Sequence, residues 1–280
     1  MNAEDYRADK ESKEPSLNAS ICKILCAQSP LHAWIAHPRL NPNYQPDHPR
    51  EFDLGNAAHH VLFEGRDKLA VIAADDWRTK AAREARDAAI NEGKLPLLMK
   101  EEETVSRMVE RAQFAWDDCP DFEGYYIREG SAEETIMWRE EETHFRARLD
   151  WLSNDRRLIV DYKTTRASAQ PEAWLRTGLD QGADVQAALY LRAVKEDQAR
   201  FVFLVQEAAH PYCCSFIGAS PSFLELGAWK VERAIKLWRE CLSKGVQREN
   251  WPGYDPRVHY VEPPAYAMAE MIAGQDLGDA

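Results

Sequence analysis

Apolar positions along the 280-residue chain change their spacing twice. Up to about residue 117 they recur every three to four residues, the period of amphipathic helices. SLNASICKILCAQSPLHAWIAHP predicts two short helices, with Ser16 or Asn18 capping the first and Ser29–Pro30 opening the second. A proline- and asparagine-rich loop follows over 38–50. Further helices are expected from Leu54 through LGNAAHHVLFEGRDKLAVI, over 76–92 and over 100–117. The last would turn Val105, Met108, Val109, Ala112 and Phe114 toward a core. From Gly124 to Lys163 aromatic and β-branched residues cluster between turn signals: YYIREG, ETIMW, THFRARLDWL and RRLIVDYKT predict three or four strands of a meander, with SNDRR as a hairpin turn. Helical spacing returns over about 170–177 and 182–196. The strands FVFLVQE and YCCSFIG come next, then the helix LELGAWKVERAIKLWREC. The aromatic, proline-rich end, WPGYDPRVHYVEPPAY, is expected to wrap the surface. With no internal repeat or flexible linker, the pattern predicts an α/β fold: a central mixed β-sheet flanked by helices in one domain over 1–280. Within it 1–122 is an N-terminal helical elaboration, 123–245 the α/β core and 246–280 a C-terminal wrap.

Composition narrows the class. Hydrophobic residues make up 45% and charged residues 29%, enough to bury a core in a soluble protein. No run of 18 apolar residues exists and the polar N-terminus lacks an apolar leader segment, so a cytoplasmic location with no membrane partner is expected. In that compartment the six cysteines do not imply disulfides, and no CxxC pair occurs. An iron–sulfur site is disfavoured by the C-terminal spacing, and buried free thiols are expected. The net charge of −12 argues against a simple basic nucleic-acid binder. It is concentrated, however: residues 101–142 carry fourteen acids against four bases, whereas 143–200 carry ten bases against eight acids. A local polyanion site in the central sheet is compatible with that distribution.

The candidate chemistry begins at LIVDYKTT, residues 158–165. In a strand, Asp161 and Lys163 project from one face and Tyr162 from the other. Pairing with FRARLDWL across a short turn would bring Asp150 near Asp161. Two carboxylates and a lysine on neighbouring strands can bind Mg²⁺ and orient or deprotonate an attacking water; an ion pair at a sheet end is the other reading. Acids that follow apolar strand residues, rather than sitting in loops, favour the first.

Asp150, then Asp161-Tyr162-Lys163, then Gln186-x-x-x-Tyr190 resembles the PD-(D/E)XK nuclease superfamily, in its RecB-like branch with the QxxxY motif. The fold this implies is a restriction-endonuclease-like core. GNAAHHVLFEG resembles the branch's G-x-x-x-H segment, which implies His59 as a metal ligand, with His60 the competing neighbour. Glu134, opening the strand before Asp150, is either a fourth metal ligand or a surface acid. The opening YRADKE, LNAS and QSPLHAW together with RARLDWL, IVDYKTT, QAALYL and WPGY are similar in order and spacing to the phage and prophage exodeoxyribonuclease VIII, or RecE-type, nuclease domain.

The resemblance implies a Mg²⁺-dependent exonuclease, with Mn²⁺ a substitute, that digests the 5′-ended strand of linear duplex DNA. The resulting 3′ tail would be passed to a phage annealing protein, and the enzyme would assemble as a homo-oligomeric ring. Asp150, Asp161, His59 and the Tyr162 carbonyl would hold metal. Lys163 would act on the water, with Gln186 and Tyr190 positioning it or the strand end. Arg146 and Arg148, four and two residues before Asp150, could meet phosphates or be solvated at the strand end. Thr164 and Thr165 could touch the DNA backbone or cap the next turn. The acidic 101–142 stretch is expected on the outside of a ring or near a protein partner. Two alternatives remain open: a RecB-like nuclease of other polarity or single-strand preference, and a non-catalytic DNA-binding protein of this fold.

Overall fold

The computed structural model describes residues 1–45, 54–265 and 268–269. The last part of the loop expected over 38–50 and the end of the 246–280 wrap lie outside them. The elements in chain order are α1 (Ala3–Arg7), β1 (Ser16–Leu17), α2 (Ala19–Ala27), α3 (Pro30–Ala36), α4 (Leu54–Phe63), β2 (Leu69–Ile72), α5 (Lys80–Asn91), β3 (Leu95–Leu98) and α6 (Met99–Asp117). Then follow β4 (Ser131–Glu140), β5 (Thr143–Leu152), β6 (Leu158–Thr165), α7 (Pro171–Asp180), α8 (Ala183–Val194), β7 (Arg200–Glu207), β8 (Cys214–Gly218) and α9 (Pro221–Lys244). Local chemistry explains the starts. Asn18 caps α2 by accepting from the Ile21 N–H, Thr79 caps α5, and Ser220–Pro221 opens α9.

The main sheet is mixed. β4, β5 and β6 form an antiparallel meander, β7 runs parallel to β6, and β8 closes the far edge antiparallel to β7. Helices cover both faces. On one, Phe145, Ala147, Leu149, Ile159, Phe201 and Phe203 pack with α2, α8 and α9; on the other, Leu158, Val160, Val202 and Leu204 pack with α4 and α6. The fold is therefore the expected mixed α/β sheet flanked by helices. α8, which carries Gln186 and Tyr190, is pressed onto α9 at Gly227. A β-carbon there would stand 2.0 Å from the Asp184 carbonyl oxygen, so only glycine permits this approach. Lys230 on α9 then pairs with the buried Asp184 carboxylate at 2.6 Å.

Several expectations are corrected. The apolar run from Leu54 is not one helix: α4 ends at Phe63, Gly65 adopts a positive φ of 104°, and LAVI forms β2, parallel to β3 in a separate two-stranded sheet. Residues 127–129, inside the presumed strand YYIREG, form a 3₁₀ turn. Phe114 is 60% exposed, and Trp116 fills the core position at the end of α6. The free thiols are not uniformly buried: Cys22 and Cys241 are, whereas Cys213 is exposed. The C-terminal segment is anchored by buried Trp251 and by the Pro252 carbonyl, which accepts from the Leu31 N–H at 3.0 Å. Beyond that anchor Val258, Tyr260 and Val261 are exposed.

Candidate metal centre and catalytic site

The site lies where a sheet ladder fails. β5 and β6 pair only at Trp151–Val160 and Leu152–Ile159. Past those pairs they splay, and β1 enters beside β5, parallel to it at His144 and Phe145. In the splay the Asp150 Oδ2 replaces the missing backbone acceptor, taking the Tyr162 N–H at 2.9 Å. The N–H and C=O of one strand residue point the same way, so the Tyr162 carbonyl is turned toward the splay too.

β4 supplies the second acid. Its register with β5 runs Ala132↔Trp151 and Glu134↔Leu149, so Glu133 stands opposite Asp150. Glu133 has a positive φ of 54°, and the alternation slips there: Leu149 and Leu152 face one core, the intervening Trp151 the other. Glu133 and Asp150 are thereby turned out of both cores. Glu134 opposes Leu149, away from the cluster, so the acid of this strand that meets Asp150 is Glu133 and not Glu134.

α4 supplies the imidazole. His59 Nε2 lies 3.2 Å from Asp150 Oδ2 and 3.5 Å from Glu133 Oε1, yet it is buried without a well-directed hydrogen bond to either. One ligand atom from each of His59, Glu133 and Asp150 falls within 4.8 Å of the other two. An imidazole nitrogen and two carboxylates converging without satisfying one another fit a divalent cation. His60 is turned elsewhere, its Nδ1 2.5 Å from Glu64 Oε1 on the same helix.

Across the splay, Asp161 is 1% exposed. Lys163 Nζ donates to its Oδ2, and Gln186 Nε2 to its Oδ1 at 2.6 Å. Tyr190 lies one helical turn beyond Gln186, buried, and lines a cavity of about 400 Å³ that opens onto Glu133 and Asp150 beside Tyr6, Arg7, Asn18 and Tyr44. Five of the predicted residues, His59, Asp150, Asp161, Lys163 and Gln186, are thus brought together around the Tyr162 backbone, with Tyr190 adjoining.

The proposed phosphate contacts fare differently. Arg146 is sealed in: 2% exposed, it donates to the Ser16 carbonyl (2.6 Å) and hydroxyl (2.7 Å) and pairs with Asp9 at 3.1 Å. It cannot reach a phosphate. Arg148 lies on the cluster face but is committed to Glu133, and donates to Thr135 Oγ1 at 2.9 Å. Thr164 and Thr165 end β6 at the rim, and Thr165 Oγ1 accepts from the Ala167 N–H at 3.1 Å, so it caps the turn.

The electrostatics divide the acids. Burial raises the Asp161 carboxyl and the neighbouring Asp150 charge adds to it, so that despite Lys163 it is pushed up to about 6. Asp150 is also buried, but His59, Lys163 and the Tyr162 N–H hold it below the usual carboxylate range. Burial alone would lower His59; the Asp150 and Glu133 carboxylates outweigh it and raise the imidazole to about 9. Lys163 is buried too, and the Asp161 and Asp150 charges keep its ammonium above its ordinary value. Without a cation the site balances three carboxylates with His59, Lys163 and Arg148.

Comparison with known proteins agrees with this architecture. A solved structure from Eubacterium rectale, of a protein provisionally named an exonuclease, superposes with a TM-score of 0.56 at 13% identity over 98% of both chains. That likeness concerns the fold. Another solved structure, SSO0001, reaches a TM-score of 0.28 at 12% identity over 66% of this chain and 84% of that one, and carries no argument. No curated protein matches the chain. Residues 29–262 match a family described as a PDDEXK-like domain of unknown function, DUF3799. That match spans the histidine, the acids, the lysine and the glutamine of the site. By it, the chain belongs to this PDDEXK-like family.

Proposed function

We propose that the protein is a Mg²⁺-dependent exodeoxyribonuclease acting on linear duplex DNA. It would degrade the 5′-ended strand and leave 3′ single-stranded tails for recombination of the phage type. The observation that carries the reading is the convergence of His59, Glu133 and Asp150 beside the Asp161–Lys163–Gln186 chain. Placement in a PDDEXK-like family supports nuclease chemistry; the polarity, an annealing partner and a ring-shaped oligomer rest on the RecE-type resemblance. None of the described helices is long and apolar enough to cross a membrane.

On this reading His59, Glu133 and Asp150 hold a divalent cation, with Asp161 and the Tyr162 carbonyl turned toward the same splay. When bound, the ion supplies a polarised water and neutralises phosphate charge. Lys163, held on Asp161, presents an ammonium where charge grows on the phosphate and orients the incoming water. Gln186 fixes the other Asp161 oxygen, so the carboxylate plane, and with it Lys163, cannot rotate. Tyr190 walls the cavity, which has room for one nucleotide at the strand end. Phosphate contacts suffice for positioning, because end-processing needs no base readout.

The test uses linear duplex DNA labelled at the 5′ or the 3′ end, with Mg²⁺, comparing wild type with Lys163→Ala. Release of the 5′ label by wild type, abolished in Lys163→Ala while Mn²⁺ binding persists, is the expected result. Release of the 3′ label, or attack on single strands only, would reverse the polarity or substrate and keep the residues. Absence of metal-dependent cleavage of either substrate would leave a DNA-binding protein of this fold.

A further inference from the structure

Glu133 sits on backbone of positive φ. Its carboxylate is held by Arg148 on the neighbouring strand, which the N-terminal segment contacts in turn. Arg148 donates through Nε to Glu133, and through Nη1 to Thr135 Oγ1 (2.9 Å) and the Met1 carbonyl (3.1 Å). The Tyr6 ring lies against both arginines, its centroid 5.6 Å from the Arg146 guanidinium carbon and 6.0 Å from that of Arg148. A helix as short as α1, five residues, is not stable alone, so tertiary contacts must hold it. The Asp9 carboxylate provides them: fully buried, it accepts from the Ser16 N–H (2.9 Å) and hydroxyl (2.6 Å) and pairs with Arg146. Tyr6 is thereby pinned by Arg146 and presented to Arg148.

We propose that Tyr6 and Arg148 are positioning residues for the cation site. The aromatic face of Tyr6 fixes the guanidinium plane of Arg148, and the Arg148 fork aims the Glu133 carboxylate at His59 and Asp150. The proposal rests on reading the His59–Glu133–Asp150 cluster as a divalent-cation site. Charge and geometry make opposite demands here, which renders the role testable. A guanidinium beside a dication is electrostatically unfavourable, so an arginine that acted only by its charge would, when removed, let the cation bind more tightly. An arginine that aims a ligand does the reverse, since loss of outer supports weakens metal sites by roughly 10–100-fold. Tyr6 is neutral, so changing it alters the support and leaves the charge constant.

The experiment is calorimetric titration of Mn²⁺ into the metal-free full-length protein, with thermal unfolding to check folding. Arg148→Met is expected to weaken Mn²⁺ binding at least roughly tenfold despite the loss of a positive charge. Arg148→Lys, which keeps the charge without the planar fork, should be weakened similarly. Tyr6→Leu should weaken binding about tenfold, and Tyr6→Phe, which keeps the ring, should remain within about twofold of wild type. The Tyr6→Leu titration should still saturate at the same number of Mn²⁺ ions per chain as wild type, which a general folding defect would not allow. Unchanged or tighter binding by Arg148→Met, or unchanged binding by a folded Tyr6→Leu, overturns the positioning role and leaves the cation site standing. Failure of wild type itself to bind Mn²⁺ overturns the cation site and the positioning role with it.

Discussion

Replacing Asp161 with asparagine should stabilise the metal-free protein while abolishing its activity. Asp161 is buried between Lys163, Gln186 and the Asp150 charge. Raising its carboxyl from 3.8 to about 6 makes the ionised form about 3 kcal/mol less favourable in the folded chain than in the unfolded one. The folded state therefore binds more protons between those two values, and the stability linked to this proton is lost as pH rises through about 6. Asparagine keeps the neutral form at every pH. The expected gain for Asp161→Asn is about 3 kcal/mol at pH 8, about half of that at pH 5, and about a fifth of it near pH 4. For a chain of this size the pH 8 gain corresponds to a rise in Tm of roughly 6–9 °C. Thermal unfolding in EDTA at pH 5 and pH 8 measures it. Adding Mg²⁺ should raise Tm for wild type but not for the variant, because only the intact site binds the ion. A variant less stable than wild type at pH 8 in EDTA, or one whose gain does not shrink at pH 5, would refute the claim that Asp161 is a strained acid held for a cation.

Two further outcomes follow from α4. His59→Ala should abolish both Mn²⁺ binding and cleavage, whereas His60→Ala should retain cleavage and lose roughly 1–3 kcal/mol of stability, because a buried side chain and the partner of Glu64 go with it; cleavage lost in His60→Ala alone would reassign the ligand. Because the His59 imidazole is held at about 9, it is protonated near neutral pH, and a coordinating imidazole must be neutral. Mn²⁺ binding at pH 7.5 should release about one proton per site, read by calorimetry in buffers of different ionisation enthalpy, with affinity rising about tenfold per pH unit up to about 9. Binding heats that do not depend on the buffer would contradict this protonation.

The parts of the site legible in the sequence are those that depend on neighbours in the chain. Alternation puts Asp161 and Lys163 on one strand face, and four-residue spacing puts Gln186 and Tyr190 on one helix face; both follow from backbone period alone. The sequence does not distinguish Glu133 from Glu134, because the choice depends on a turn it does not mark. β4 and β5 are joined through Glu141 and Glu142, pairing Glu140 with Thr143, and counting back from that turn sets Glu133 against Asp150. Glu141 takes a positive φ of 50° where glycine or asparagine would usually announce the hairpin. β2 escaped notice for a related reason: LAVI is as compatible with a helix as with a strand, and only Gly65 signals the break.

Arg146 shows the limit that no local pattern overcomes. Its strand position correctly placed it on the face of Arg148 and Asp150, but Asp9 and Ser16, 137 and 130 positions away, convert it from a candidate phosphate contact into a buried strut. The reason lies in the splay that makes the site. Where β5 leaves β6, the ladder no longer satisfies backbone donors, and buried N–H groups must find other partners. Asp150 takes the Tyr162 N–H at the upper end of the gap, and β1 fills the lower end, with Arg146 satisfying the Ser16 carbonyl. Closing the gap with ordinary strand pairing would remove the opening through which Asp150, Asp161 and the Tyr162 carbonyl face one another. The N-terminal segment is thus a structural requirement of the site: it completes the sheet where β5 and β6 have separated, and in doing so it brings Tyr6 to the cluster's edge.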